Sequence, residues 1–106
     1  RASCRSVIVL GALQIDVAAR RVAVGGADVV VTPKEFDLLH LLAGHVERVF
    51  TRVDILERIW ETKHAGYIRN VDSHMMRLRR KLDAAGFDSS CIETVHGTGY
   101  RFTRTS

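Results

Sequence analysis

Between positions 69 and 81 the chain places five cations, Arg69, Arg77, Arg79, Arg80 and Lys81, against one carboxylate, Asp72. The short polar residues Asn70 and Ser73 stand among them. The local charge is +4, equal to that of all 106 residues, so the basicity of the chain is focused in one segment. At about 100° per residue, Val71, Met75, Leu78 and Leu82 fall within about 60° of one another, an apolar stripe that fits a helix packed on a core. Arg69, Ser73, Met76, Arg77 and Arg80 fall opposite. Asn70 and His74 lie on one flank, Asp72 and Arg79 on the other. Arginines that reach phosphate and guanine, set beside short side chains that permit close approach, suit an outward face built for nucleic acid. An ordinary solvated basic face is the alternative. Cations in a last turn favour the helix dipole and account for Arg79, Arg80 and Lys81, but they leave Arg69, Arg77, Ser73 and Asn70 unexplained.

The second chemical feature is Thr94-Val95-His96-Gly97-Thr98-Gly99-Tyr100-Arg101-Phe102, a glycine-tipped hairpin whose tip is thin enough to enter a narrow groove. Gly97 and Gly99 are expected as turn glycines with positive φ. Tyr100 is either a packing ring or a phosphate donor. The five histidines show no metal-ligand spacing, and Cys4 and Cys91 form no Cys-x-x-Cys pair. No Ser/His/Asp set, phosphate-cradling loop or carboxylate pair is present, so neither an enzyme nor a cofactor is expected. Asp72 reads as an intramolecular partner that fixes an arginine.

These features need elements to hold them. Residues 7–31 alternate as an antiparallel meander of three or four strands: Val7/Val9, Leu13/Ile15/Val17, Val22/Val24 and Val29/Val31, broken at Gly11, at 18–20 and at Gly25-Gly26. Thr32-Pro33-Lys34-Glu35 has the form of a capping box with proline at the first helical position. Phe36, Leu39, Leu42, Ala43 and Val46 follow as the stripe of a first helix. Val49-Phe50 reads as an extended link. Thr51 and Asp54 repeat the capping logic for a second helix whose apolar face is Ile55, Leu56, Ile59 and Trp60. Residues 61–68 read as a loop. The basic helix over 69–84 stops near Gly86, and the hairpin occupies about 91–103. The three helices lie within about 33–85. The expected fold is α+β: a winged helix-turn-helix with an N-terminal antiparallel β-sheet, three helices and a C-terminal β-hairpin wing, one domain over 1–106.

Net charge +4 and pI about 9.6 permit a polyanionic partner. No run approaches the roughly 18 apolar residues of a membrane span, and the two cysteines suit a reducing cytoplasm. The chain starts with Arg and is read as part of a longer protein.

With these elements placed, the sequence resembles the C-terminal output domain of OmpR/PhoB-type response regulators over nearly its whole length. The resemblance rests on Val31-Thr32-Pro33-Lys34-Glu35-Phe36-Asp37-Leu38-Leu39, on Arg52-Val53-Asp54-Ile55-Leu56-Glu57-Arg58-Ile59-Trp60, on the 69–82 helix and on the 94–102 wing, in that order and spacing. It implies a two-component transcription factor domain binding double-stranded DNA at tandem half-sites. The 69–84 helix would enter the major groove and wing 95–101 the minor groove. Asn70, Ser73, Met76 and Arg77 are the candidates for base readout. Arg52, Trp60, Arg69, His74, Arg79, Arg80, Lys81, Thr94 and Tyr100 are the candidates for phosphate contacts. His96, Gly97, Thr98, Gly99 and Arg101 are the wing candidates. Trp60 is read first as core packing, the phosphate contact being what the resemblance adds. It further implies an upstream receiver domain, a cognate histidine kinase and RNA polymerase contact through the 61–68 loop. The domain is expected to be a monomer alone and to pair on DNA. Three positions depart from the family: His96 stands where Arg is frequent, Asn70 where Thr is usual, and Met76 where several relatives are polar or charged. A protein-interaction winged helix and a one-component regulator are the competing readings.

Overall fold

A computed structural model describes residues 7–62 and 65–103. Four strands open the chain, β1 (Val7–Leu10), β2 (Leu13–Asp16), β3 (Arg21–Val24) and β4 (Ala27–Val29), paired antiparallel in the order β1-β2-β3-β4. Leu13, Ile15, Val22 and Val24 turn one face of this meander inward, as the alternation requires. The last strand stops at Val29, earlier than the Val29/Val31 alternation suggests, and Val30 is 85% exposed.

Helix α1 (Pro33–Ala43) starts at the expected capping box: the Thr32 hydroxyl accepts from the Glu35 N–H at 3.2 Å, and the Glu35 carboxylate accepts from the Thr32 N–H at 3.0 Å. Its buried stripe includes Leu38, absent from the sequence-derived set, whereas Val46 lies beyond the helix and is half-buried. The second helix, α2, begins as Arg52–Ile55 under a matching box of Thr51 and Asp54, and continues as a π-helical turn over Leu56–Trp60. Glu61 ends it in the left-handed region, at φ 56°. A 3-10 turn, Ala65–Tyr67, leads into α3 (Ile68–Ala84), so Ile68 is helical rather than part of a loop. Lys63 and His64 of the expected loop lie outside the described residues. The C-terminus of α3 closes as a Schellman motif: Phe87 N–H donates to the Leu82 carbonyl and Gly86 N–H to that of Asp83, with Gly86 at φ 96°.

After a 3-10 turn at Ser89–Cys91, strands β6 (Ile92–Val95) and β7 (Gly99–Phe102) form the wing. The link at 49–50 is more than a connector. Phe50–Thr51 is strand β5, and it pairs with β7 in a second sheet of order β5-β7-β6. A single core joins both sheets and all three helices, with Phe36, Phe50, Phe102, Leu39, Met75 and Leu78 among its largest members. No described helix is long and apolar enough to cross a membrane.

Candidate nucleic-acid interface

The stripe assignment of α3 decides what faces outward. Val71, Met75, Leu78 and Leu82 are fully buried, so the opposite meridian must be solvated. Arg69, Ser73, Met76, Arg77 and Arg80 are all exposed there. The wing tip, His96, Gly97 and Thr98, is exposed beside it, turned by a Thr98 N–H to Val95 carbonyl bond of 2.9 Å and by Gly97 at φ 72°. The outward face of α3 and the wing are joined at their base, where Arg79 of α3 bonds Thr94 of β6.

That base is built on the Asp72 flank. The Asp72 Oδ1 atom accepts from Arg52 Nε at 2.9 Å and from the Tyr100 hydroxyl at 2.5 Å. The guanidinium carbons of Arg52 and Arg79 each lie 5.3 Å from the Tyr100 ring centre. Arg79 also donates to Thr94 Oγ1 at 2.7 Å. The Asp72 carboxylate therefore ties α2 and β7 to α3, and the Arg79–Thr94 bond ties β6 to the same helix. The hydrogen bond that Arg52 donates to Asp72 raises the Arg52 pKa above its already high ordinary value, and burial followed by the bond donated to Asp72 pushes the Tyr100 hydroxyl up.

The opposite flank is built around a buried acid. Lys81 Nζ donates to Glu35 Oε1 at 2.6 Å, and the Glu35 side chain is 1% exposed. Burial by itself would raise the Glu35 pKa. The Lys81 hydrogen bond, the Thr32 N–H and the charges of Lys81 and His74 outweigh burial and hold it below 4.5. His74 Nδ1 meets the Asn70 carbonyl at 2.7 Å, and its ring packs edge-on against Trp60 at 5.3 Å. Lys34 Nζ donates to the Ile59 carbonyl at 2.8 Å and sits 5.4 Å from the Trp60 ring centre.

Several of the expected site residues are held differently from their sequence reading. Lys81, expected as a phosphate donor, and Tyr100, read as either a packing ring or a phosphate donor, have their polar ends engaged inside the fold: Lys81 neutralises a carboxylate that burial leaves without bulk water, and Tyr100, 4% exposed, packs and donates to Asp72. Arg101, placed with the wing contacts, is paired with Glu93, its cross-strand neighbour on β6. Glu93 and Lys34 were not singled out from the sequence. Glu93 was readable in principle, because a hairpin turning at 96–98 sets 93 opposite 101. Lys34 was not, because its carbonyl partner is 25 residues away. Gly99 has no positive φ. A Cβ at Gly99 would stand 2.0 Å from the Phe50 carbonyl oxygen and 2.8 Å from Thr51 Cα, so glycine is required by the close approach of β5. Asn70, Trp60 and His74 are half-buried, and Thr94 is exposed.

This arrangement matches known proteins. Residues 26–102 fit the family model described as "Transcriptional regulatory protein, C terminal". The chain is 39% identical over 99 residues to the transcriptional regulatory protein ResD of Bacillus subtilis, covering 92% of this chain and 41% of ResD. It is 40% identical over 97 residues to the phosphate regulon transcriptional regulatory protein PhoB of Escherichia coli, covering 92% of this chain and 42% of PhoB. The chain thus spans about two fifths of the length of these curated relatives. Among solved structures it superposes on the Klebsiella pneumoniae RstA DNA-binding domain, crystallised in complex with the RstA box, with TM-score 0.82 and 34% identity over 92% of this chain and 97% of that one. The buried stripe, the wing and these matches agree, and the chain belongs to the transcriptional regulatory protein C-terminal family, as a winged-helix domain of the OmpR/PhoB type.

Proposed function

We propose that this domain binds duplex DNA sequence-specifically as the output half of a two-component transcriptional regulator. The observation that carries the reading is the outward face of α3, where Arg69, Ser73, Met76, Arg77 and Arg80 stand exposed over a fully buried stripe. A helix of this width suits the major groove, and the tip at 96–98 suits the adjacent minor groove. That the similar RstA DNA-binding domain crystallises in complex with its box supports DNA as the partner. Arg77 is assigned to base readout with Ser73 and Asn70. Arg69 and Arg80 are assigned to phosphate, together with Arg52 and Arg79, whose guanidinium groups are already fixed by Asp72 and Thr94. His96, in place of a permanent cation, makes the minor-groove contact weaker than an arginine would. Pairing on tandem half-sites, an upstream receiver domain driven by a histidine kinase, RNA polymerase contact through the 61–68 segment and a cytoplasmic location complete the proposal.

Affinity measured by fluorescence anisotropy across salt concentrations tests it. Each phosphate contact contributes about −0.9 to the slope of log K against log salt. Arg69→Ala or Arg80→Ala should weaken binding to all duplexes alike and flatten the slope by about one contact. Equal affinity at low and moderate salt would remove phosphate contacts as the source of binding and leave the basic face to an acidic protein partner.

A further inference from the structure

Met76 is the one large apolar side chain on the outward face of α3, and it is 53% exposed. It sits between Ser73, one turn before it, and Arg80, one turn after it, on the same meridian. The core has no use for it, since Val71, Met75, Leu78 and Leu82 fill that side completely. Ser73 is short, so the thioether stands proud of its N-terminal neighbour. The large apolar group that a major-groove floor offers such a side chain is the C5-methyl of thymine; the other base edges present there are hydrogen-bond donors and acceptors. A thioether cannot satisfy those donors and acceptors, but it adapts readily to a methyl group.

We infer that Met76 reads a thymine C5-methyl in the cognate site. The inference rests on the DNA reading above and goes further by naming the chemical group and the residue that selects it. Met76 and Arg77 are adjacent, separated by about 1.5 Å along the helix axis. Burying one methyl against the thioether is worth about 0.8 kcal/mol, or close to fourfold in affinity.

The test uses the duplex that the unmodified domain enriches from a random library. Each thymine is replaced in turn by deoxyuridine, which removes the methyl and leaves base pairing intact. The domain should lose roughly three- to fivefold in affinity at one thymine, by the same methyl burial, and little at the others. Met76→Ala should bind the thymine and uracil duplexes equally at that position while keeping its melting temperature, since the side chain is exposed. Two results overturn the inference alone: enrichment of a sequence with no loss at any uracil, or a Met76→Ala variant that keeps the full thymine preference. A domain that enriches no sequence overturns both this inference and the DNA reading.

Discussion

The two sides of α3 separate two kinds of residue that composition alone would not. Val71 is fully buried and Arg77 is exposed on the same helix, less than two turns apart. Arg77→Ala should cost about 1–3 kcal/mol on the cognate duplex and relax preference at one base position, with the melting temperature unchanged. Val71→Ala removes two buried methyl groups and should lower stability by about 1–3 kcal/mol before it alters base preference. Melting curves and cognate-to-random affinity ratios for both variants distinguish the two effects, and the opposite outcome would reverse the assignment of the faces. The wing glycines differ in the same spirit. Gly97 needs its φ of 72° but has open space around it, so Gly97→Ala should cost about 1–2 kcal/mol of backbone strain. Gly99→Ala drives a Cβ into the β5 backbone and should separate β5 from β7, with a larger fall in melting temperature than Gly97→Ala.

At the scale of elements, α1 and α3 are clasped by Glu35 and Lys81, two residues 46 positions apart. The same carboxylate closes the α1 capping box, so helix initiation and helix docking depend on one group. Glu35→Gln keeps the cap and removes the charge. It should destabilise the neutral-pH domain by about 1.5 kcal/mol, the low end for a hydrogen bond to a charged group, because the Lys81 side chain retains 35% exposure. The sign with pH follows from the lowered Glu35 pKa. Its contribution is complete above the unfolded value near 4.5 and is lost as pH falls through the folded value. The stability gap between the native chain and Glu35→Gln should therefore narrow as pH falls below the unfolded value near 4.5, in chemical denaturation followed by circular dichroism. A gap that stays constant with pH would show that the Glu35 charge does not stabilise the fold. Asp72 plays the corresponding part on the other flank, holding Arg52, Tyr100 and, through the aromatic ring, Arg79 in one arrangement.

For the molecule as a whole, one core supports both sheets and all three helices, so α3 and the wing strands rest on the same packed base. Among the described residues the exposed large apolar side chains, Val7, Val9, Val30, Val53, Tyr67 and Met76, are distributed over β1, the β4–α1 link, α2, the 3-10 turn before α3 and the middle of α3. A stable dimer needs about 800 Å² of good contact per partner. We expect the domain to sediment as a monomer at micromolar concentration and to pair only on DNA carrying two adjacent half-sites, where a weak domain contact is amplified by effective concentration. A stable dimer without DNA would contradict this.

Local rules carried the sequence reading far. Capping boxes at Thr32 and Thr51, the stripe of α3, the glycine stop at Gly86 and the alternation in the meander each involve residues within a few positions of one another, where periodicity and cap chemistry act directly. The family could be read from four short segments for the same reason. Tertiary structure decided what depends on distant partners. Phe50–Thr51 is a strand because β7 lies beside it, and Gly99 is glycine because that strand comes so close. Lys81 turns inward to a carboxylate 46 residues upstream, and Tyr100 donates to an aspartate 28 residues away. A basic residue on a flank of a helix looks the same in sequence whether it meets solvent, phosphate or a buried acid. Only the fold sets which of these lies within reach of its amine.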